Sequence, residues 1–152
     1  MKALSIKNPF AGLIIKGLKR YEVRSFKTKY RGQLAICSTQ KDLGGDVVDY
    51  SNDSEDGTLF RLAMWQVIDH HEVDETPNGC ILGLVNLTDV IEFTGGEEQE
   101  NLAFVQLRAA QAKYPGKTLY LWELSDPMPI DPVPIKGKLG IFNISHEDVF
   151  CC

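Results

Sequence analysis

The apolar residues of this chain fall into short runs of strand length, and this pattern restricts its fold more than any other feature. Gly, Pro or Asn residues bound several of these runs, as is typical of strands joined by turns. No run approaches the roughly 18 apolar residues that a membrane-spanning helix needs, and the chain opens on no long signal-like apolar stretch. We therefore predict a small α+β domain built on a closed or half-closed β-barrel. The predicted strands are residues 3–6, 21–24, 33–38, 80–87, 118–124 and 140–144.

Segments with helical spacing of apolar residues separate these strands. Asn8 is predicted to cap a helix over residues 9–16, with Pro9 at its first position, where the missing N–H costs nothing. Gly17 follows and is placed to end that helix in a left-handed conformation. Two further helices are predicted, over residues 59–68 with Thr58 as the cap and over residues 98–113.

Two segments lack regular periodicity. Residues 42–57 are acidic and rich in Gly and Ser, which predicts a flexible loop. Residues 127–134 are rich in proline and predict an extended segment at a sheet edge or in a crossover, because proline cannot donate a ladder hydrogen bond. A length of 152 residues suits one domain, so we expect residues 1–152 to form a single domain.

The charge of the chain is distributed unevenly. The formal net charge is −5, which argues against a protein that coats nucleic acid over its whole surface. Residues 1–41 contain ten Lys or Arg and one Glu, giving +9, whereas the remaining 111 residues contain six against twenty, giving −14. This asymmetry favours one local patch that faces an anion, although solvated faces of opposite sign would give the same count.

The cysteines and histidines show no metal-binding spacing. Cys37 and Cys80 lie in apolar strand-like runs, where buried free thiols are expected. His70 and His71 are neighbours in the chain and cannot easily face one metal together. We therefore predict no metal site and no cofactor, and we expect a cytoplasmic protein that does not associate with a membrane.

Residues 17–24 contain the strongest candidate for chemistry. Lys19 follows the predicted helix end, and Glu22 and Arg24 then share one face of a strand, about 6–7 Å apart by strand rise. A carboxylate held between two cations stays ionised and can accept a proton or orient a water. The lysine can stabilise an oxyanion, and the arginine can clamp a phosphate. The same spacing also fits an ordinary exposed ladder of ion pairs.

Other candidates are less specific. Glu100 belongs to an acidic stretch that ordinarily forms the first turn of a helix. Lys136 lies in a turn that could reach a phosphate or simply face solvent. Trp65 and Trp122 could stack on a base, although tryptophans at such spacing more often belong to the core. None of these residues alone predicts a function.

Several motifs, taken in order, resemble one known family. They are Leu4-Ser-Ile-Lys-Asn-Pro-Phe-Ala11, Gly17-Leu-Lys-Arg-Tyr-Glu-Val-Arg24, Tyr30-Arg-Gly32, Gly79-Cys-Ile-Leu-Gly83 and Pro134-Ile-Lys-Gly-Lys-Leu-Gly140. In this order the motifs resemble the ASCH domain family over about residues 3–144. The G-x-K-x-x-E-x-R element of residues 17–24 is fairly specific in that context.

The resemblance implies a PUA-like fold, in which a small β-barrel with flanking helices has a cleft lined by the G-x-K-x-x-E-x-R element. It also implies an association with RNA binding. One small bacterial branch of the family hydrolyses the acyl amide of N(4)-acetylcytidine with a lysine, a threonine and a glutamate. By motif, Lys19 matches that lysine, Glu22 stands in place of the threonine, and Glu100 is a candidate for the glutamate. If hydrolysis occurs, Glu22 or Glu100 would activate water and Lys19 would stabilise the oxyanion.

Three functions remain open from the sequence. The first is a module that recognises RNA or a modified nucleoside in a basic cleft. The second is an enzyme acting in that cleft, such as an amidohydrolase or a ribonuclease, and the third is a regulatory protein-interaction domain that uses residues 42–57 as its contact. The expected binding residues are Asn8, Pro9, Phe10, Arg24, Arg31 and Lys136, beside the candidate catalytic residues Lys19, Glu22 and Glu100.

Overall fold

The computed structural model describes residues 1–41, 76–102 and 104–150. Several predicted features lie outside these residues: the loop over residues 42–57, the helix over residues 59–68, Trp65, His70 and His71. No helix in the described part of the chain is long and apolar enough to cross a membrane.

Among the described residues, six strands form one mixed sheet: β1 (Lys2–Ile6), β2 (Tyr21–Arg24), β3 (Gly32–Ser38), β4 (Cys80–Glu92), β5 (Tyr120–Pro134) and β6 (Ile141–Asn143). Their order across the sheet is β2-β5-β4-β3-β1-β6. The pair β1 and β3 is parallel, and all other neighbours are antiparallel. Each predicted strand has a counterpart here. Consecutive residues of β3 and β4 are buried, so both faces of these central strands are covered.

The two long strands β4 and β5 pair along most of their length. The sequence predicted residues 118–124 and 127–134 as separate elements, whereas the structure joins them in β5. Register shifts interrupt the β4–β5 pairing, and Asp126 takes a positive φ of 51° between the two predicted segments. On its other side β5 pairs with β2 only over residues 120–123. The proline-rich part therefore lies at a sheet edge, one of the two places predicted for it.

In the described part of the chain, four helices accompany the sheet: α1 (Phe10–Ile15), α2 (Glu97–Leu102), α3 (Phe104–Lys113) and α4 (His146–Phe150). α1 begins one residue later than predicted, because Pro9 occupies the capping position. The Asn8 side chain still satisfies an early helical amide, since its Oδ1 accepts a hydrogen bond from Gly12 N at 3.2 Å. The helix predicted over residues 98–113 is present as α2 and α3, and it ends at Lys113 as predicted.

Local capping bonds fix the end of α1. Gly17 takes a φ of 77°, and its N–H donates to Ile14 O at 3.1 Å. Leu18 N donates to Leu13 O at 2.9 Å, which completes a Schellman motif. The predicted left-handed end of this helix is therefore confirmed. α4 was not predicted, although polar side chains at its start cap it reciprocally.

The sheet curls into a half-barrel. Three strands separate β2 from β1, so a flat sheet would hold these two about 19 Å apart at roughly 4.8 Å per strand. Arg24 of β2 nevertheless donates from Nη2 to Ser5 O of β1 at 2.7 Å, so the two strands approach each other across the curled sheet. The edge strands β2 and β6 are not neighbours in the sheet formed by the described residues, which leaves the barrel half-closed.

The main core lies between α1 and the sheet. Trp122 is completely buried there, and its ring meets that of Phe26 edge-on with 5.2 Å between centroids. Trp122 is therefore a core residue and offers no stacking surface to a ligand. Cys37 and Cys80 are buried free thiols as predicted, and burial raises the pKa of Cys37 to about 12.

Candidate functional site

A cavity of about 620 Å³ opens where β1, α1, β2 and α3 meet the loop between β5 and β6. This volume falls within the range of small-molecule binding sites. The G-x-K-x-x-E-x-R element contributes Glu22 and Arg24 to its wall, so the cavity adjoins the element that the sequence marked as the strongest candidate. Other polar residues of the lining include Ser5, Gln106 and Lys136.

Glu22 is the central charged group of the wall and is completely buried. Its Oε1 accepts hydrogen bonds from Lys19 Nζ at 3.3 Å, from Val23 N at 3.1 Å and from Gln106 Nε2. Its Oε2 lies 3.4 Å from Arg24 Nη2. The sequence left open an exposed ladder of ion pairs, and the burial of Glu22 excludes that alternative. The three charged groups instead form a buried cluster.

The charges in this cluster shift one another's pKa. Burial alone raises the pKa of Glu22, but the Lys19 ammonium, the Arg24 guanidinium and the Gln106 hydrogen bond together lower it below its usual value. Burial lowers the pKa of Lys19, and the charge of Glu22 opposes that shift. Glu22 is therefore held as a carboxylate at neutral pH.

Lys19 lies behind Glu22 and does not line the cavity. Its Nζ donates to Tyr21 O and to Glu22 Oε1, and it lies 5.4 Å from the centre of the Phe10 ring. These contacts direct its charge into the protein. Lys19 consequently orients Glu22 without facing a ligand itself.

Three buried polar atoms of the lining have no hydrogen-bond partner among the described residues: Ser5 Oγ, Glu22 Oε2 and Arg24 Nε. Such groups are rare in folded proteins because each costs free energy when it is left unpaired. Arg24 is anchored by its bond to Ser5 O, which restricts the orientation of its Nε. The three atoms are an acceptor, a donor and a hydroxyl, and each is almost fully covered by neighbouring atoms.

The cavity lining is basic although the chain is acidic. Among the described residues of the lining, five cations against Glu22 give a formal charge of +4 (5 − 1), compared with −5 for the whole chain. Only two of these cations belong to residues 1–41, so most of the positive charge in that segment lies outside the lining. The other three come from α3 and from the loop after β5. The five cations are Lys7, Arg24, Lys113, Lys136 and Lys138.

Several predicted site residues lie outside the cavity lining. Asn8 is buried, and its Nδ2 donates to three oxygens of residues 76–78 at 2.9–3.2 Å, so it anchors the chain before β4. Pro9 forms the cap of α1. Arg31 lies in a separate depression and pairs with an aspartate of β4, and Glu100 lies in α2. The predicted residues that line the cavity are Phe10, Glu22, Arg24 and Lys136.

Gln106 and Ser5 line the site and were not predicted from the sequence. Gln106 Oε1 accepts from Val23 N at 2.9 Å and its Nε2 donates to Glu22, which ties α3 to β2. No sequence signal connects this glutamine with a carboxylate 84 residues away. The sequence gives a weak indication that Ser5 has a special role, because it is a polar residue between two apolar residues of a predicted strand.

Gly137, in the loop after β5, has room for a side chain only if Ser5 Oγ moves away. A Cβ at this position would lie 2.3 Å from Ser5 Oγ, because the loop packs directly against β1. We expect Gly137→Ala to lower the free energy of unfolding by roughly 1–3 kcal/mol, and Ser5→Ala in the same chain to restore part of that loss. Urea unfolding of the two single variants and the double variant measures this coupling. An equal loss in both backgrounds would contradict the close contact.

Comparison with known proteins places this chain in a family. The ASCH domain model matches residues 4–134. Among curated proteins, activating signal cointegrator 1 of Homo sapiens and that of Mus musculus are each 34% identical to it over 96 residues, or 63% of this chain. The chain spans 15% of the length of each of these relatives, so the likeness concerns one part of them.

Solved structures from Zymomonas mobilis share the fold. The crystal structure of ASCH from that organism has a TM-score of 0.60 at 13% identity and covers 97% of this chain and 89% of its own. A mutant of the Zymomonas protein gives the same TM-score and coverage at 14% identity. At this identity the likeness concerns the fold alone. The family match over residues 4–134 confirms the resemblance seen in the sequence, and the chain belongs to the ASCH domain family.

Proposed function

We propose that this chain recognises a nucleobase, in RNA or in a nucleoside, inside the 620 Å³ cavity. The supporting observation is the set of unpartnered atoms in its wall. Glu22 Oε2 can accept a hydrogen bond from an amino or ring N–H group of a base, and Arg24 Nε can donate to a neighbouring ring nitrogen or carbonyl. The edge of a nucleobase presents such donors and acceptors side by side.

The charge of the lining supports a ligand that also contains phosphate. Five cations and one carboxylate belong to the described residues of the lining, and Lys136 and Lys138 are exposed at the cavity. Phosphate contacts by lysine fix the position of a nucleic acid, while contacts to base edges give specificity. The association of the ASCH family with RNA binding, which the sequence motifs imply, points in the same direction.

Recognition is favoured over hydrolysis by the protonation state of the cluster. A general base works best when its pKa lies near the operating pH, whereas neighbouring cations hold the pKa of Glu22 below its usual value. Lys19, the candidate for stabilising an oxyanion, is bonded to Glu22 and Tyr21 and does not line the cavity. Glu100 does not line it either. Of the three candidate catalytic residues only Glu22 reaches the cavity, and as a stable carboxylate it is better suited to accept a hydrogen bond from a ligand than to act as a base.

Binding of RNA should depend on salt through the cavity lysines. We expect Lys136→Gln to weaken the binding of an RNA of about 12 nucleotides and to lower the slope of log affinity against log salt by about 0.7, the value for one phosphate contact on a single strand. Fluorescence anisotropy over a salt series measures both effects. The matched control is Lys29→Gln, which removes the same charge from an exposed residue outside the lining and should leave the slope unchanged.

Two outcomes would contradict the proposal. The first is a lack of affinity at low salt for RNA and for all ribonucleosides tested. The second is turnover of N(4)-acetylcytidine or of RNA that is lost in Glu22→Gln, which would make the chain a hydrolase instead of a recognition module.

A further inference from the structure

A second depression of about 450 Å³ adjoins the first cavity, and the two share one lining residue, Tyr114. Tyr114 directly follows α3, and the rest of the depression is formed by Gln111 of α3, the end of β4 and the segment before β5. The nucleobase proposed above occupies the first cavity only. A ligand that extends past Tyr114 would enter this second depression.

Tyr114 forms an anchored aromatic surface beside two cations. Its side chain packs against the buried cluster that contains Leu107 and Leu119, which restricts its position. Lys113 Nζ and Lys117 Nζ each lie over its ring, 5.6 Å from the centre, so a base that stacks on the ring would take the place of one of these ammonium groups. Lysine has a long side chain, so either ammonium can reach a phosphate next to the ring. An aromatic ring with adjacent cations is the arrangement by which proteins hold single-stranded nucleic acid.

Glu92 is the one carboxylate among the described residues that line the depression, and it restricts how a polynucleotide can lie there. Glu92 lines the depression together with Lys117. Its negative charge would repel a phosphate. The phosphates must therefore lie toward Lys113 and Lys117, which leaves the depression to a base or a ribose. Glu92 can then accept a hydrogen bond from an amino or hydroxyl group of that unit.

We infer that the second depression is a subsite for the nucleotide next to the one held in the cavity, and that the ligand is a single-stranded polynucleotide. Tyr114 stacks on the second base, and Lys113 and Lys117 bind the phosphates that flank it. This inference rests on the proposed function, since the first cavity has to hold the preceding nucleotide.

The test compares an RNA of about 12 nucleotides with 5′-ribonucleotide monophosphates. Tyr114→Leu should weaken the binding of RNA about tenfold, in the range expected for the loss of one stacked base, and should change the affinity for monophosphates much less. Tyr114→Phe keeps the ring and should keep the affinity for RNA. Lys117→Gln should lower the salt slope by about 0.7, and Lys29→Gln should leave it unchanged.

The outcomes separate this inference from the proposed function. Equal losses for RNA and monophosphates in Tyr114→Leu, or no loss for either, would overturn the subsite while the cavity remains a binding site. A wild-type chain that binds neither ligand would overturn both proposals. If thermal melting shows that Tyr114→Leu does not fold, the salt slopes of Lys117→Gln and Lys29→Gln decide the question, and equal slopes would overturn the subsite.

Discussion

Replacing Glu22 with leucine is expected to lower the free energy of unfolding by roughly 3 kcal/mol, the lower end of the cost of breaking a buried ion pair. The leucine would leave the Lys19 and Arg24 cations together without their counter-charge. Gln106 Nε2 would also lose the carboxylate that accepts its hydrogen bond. The lower end of that range of costs applies because the Lys19 and Arg24 side chains remain 12% and 25% exposed, so water can still solvate part of their charge.

Urea unfolding measures this loss, with Glu22→Gln as the matched variant that keeps the shape and one acceptor oxygen.

The pKa of Glu22 is lowered in the folded state. Its stabilising contribution is therefore complete above the unfolded value of about 4.3 and is lost as the pH falls through the lower folded value. The difference in stability between wild type and Glu22→Gln should shrink below about pH 4. A difference that stays constant there would contradict the buried carboxylate.

The sequence predicted those elements whose boundaries depend on local chemistry. Gly17 ends α1 because its left-handed conformation is available locally, and the turn before Cys80 starts β4 where predicted. The union of residues 118–124 and 127–134 in β5 was missed, because it depends on pairing with β4 some 40 residues earlier in the chain. Periodicity within one segment contains no information about such a partner.

The candidate site was predicted only in part for the same reason. Glu22 and Arg24 were found because they are close in sequence, but the burial of Glu22 depends on α3, which follows much later in the chain. Arg31 is only seven positions from Arg24, yet β3 begins at the next residue and the chain leaves Arg31 in a different depression. Clustering of charge along a sequence is therefore weak evidence of clustering in space.

Under the proposed function, the buried cluster would hold the binding groups in place before a ligand arrives. Lys19, Gln106 and Val23 N hold one oxygen of Glu22, so the second oxygen has a defined position near Arg24. A ligand that meets such a fixed acceptor and donor loses little free energy to the ordering of protein side chains. Most of the specificity of the site should consequently depend on Glu22 and Arg24.

Arg24→Gln is accordingly expected to weaken the binding of nucleosides and of RNA on the order of 100-fold, the upper range for a hydrogen bond to a charged group. The change removes the unpartnered Nε, and it also removes the Nη2 bond to Ser5 O that joins β2 to β1. Arg24→Lys keeps the charge without the planar donor group. We expect it to recover only a small part of the affinity, because the geometry of the donors matters more than the charge.

Isothermal titration with a nucleoside and anisotropy with RNA measure these losses once circular dichroism has shown that the variants fold. Arg20→Gln is the matched control, since Arg20 is exposed, lies in the same segment and does not line the cavity. If Arg20→Gln and Arg24→Gln weaken binding equally, the positive charge of the segment and not the cavity is responsible. If Arg24→Lys binds with wild-type affinity, Arg24 does not form hydrogen bonds to the edge of a base. Its role would then be a phosphate contact that a lysine can also make.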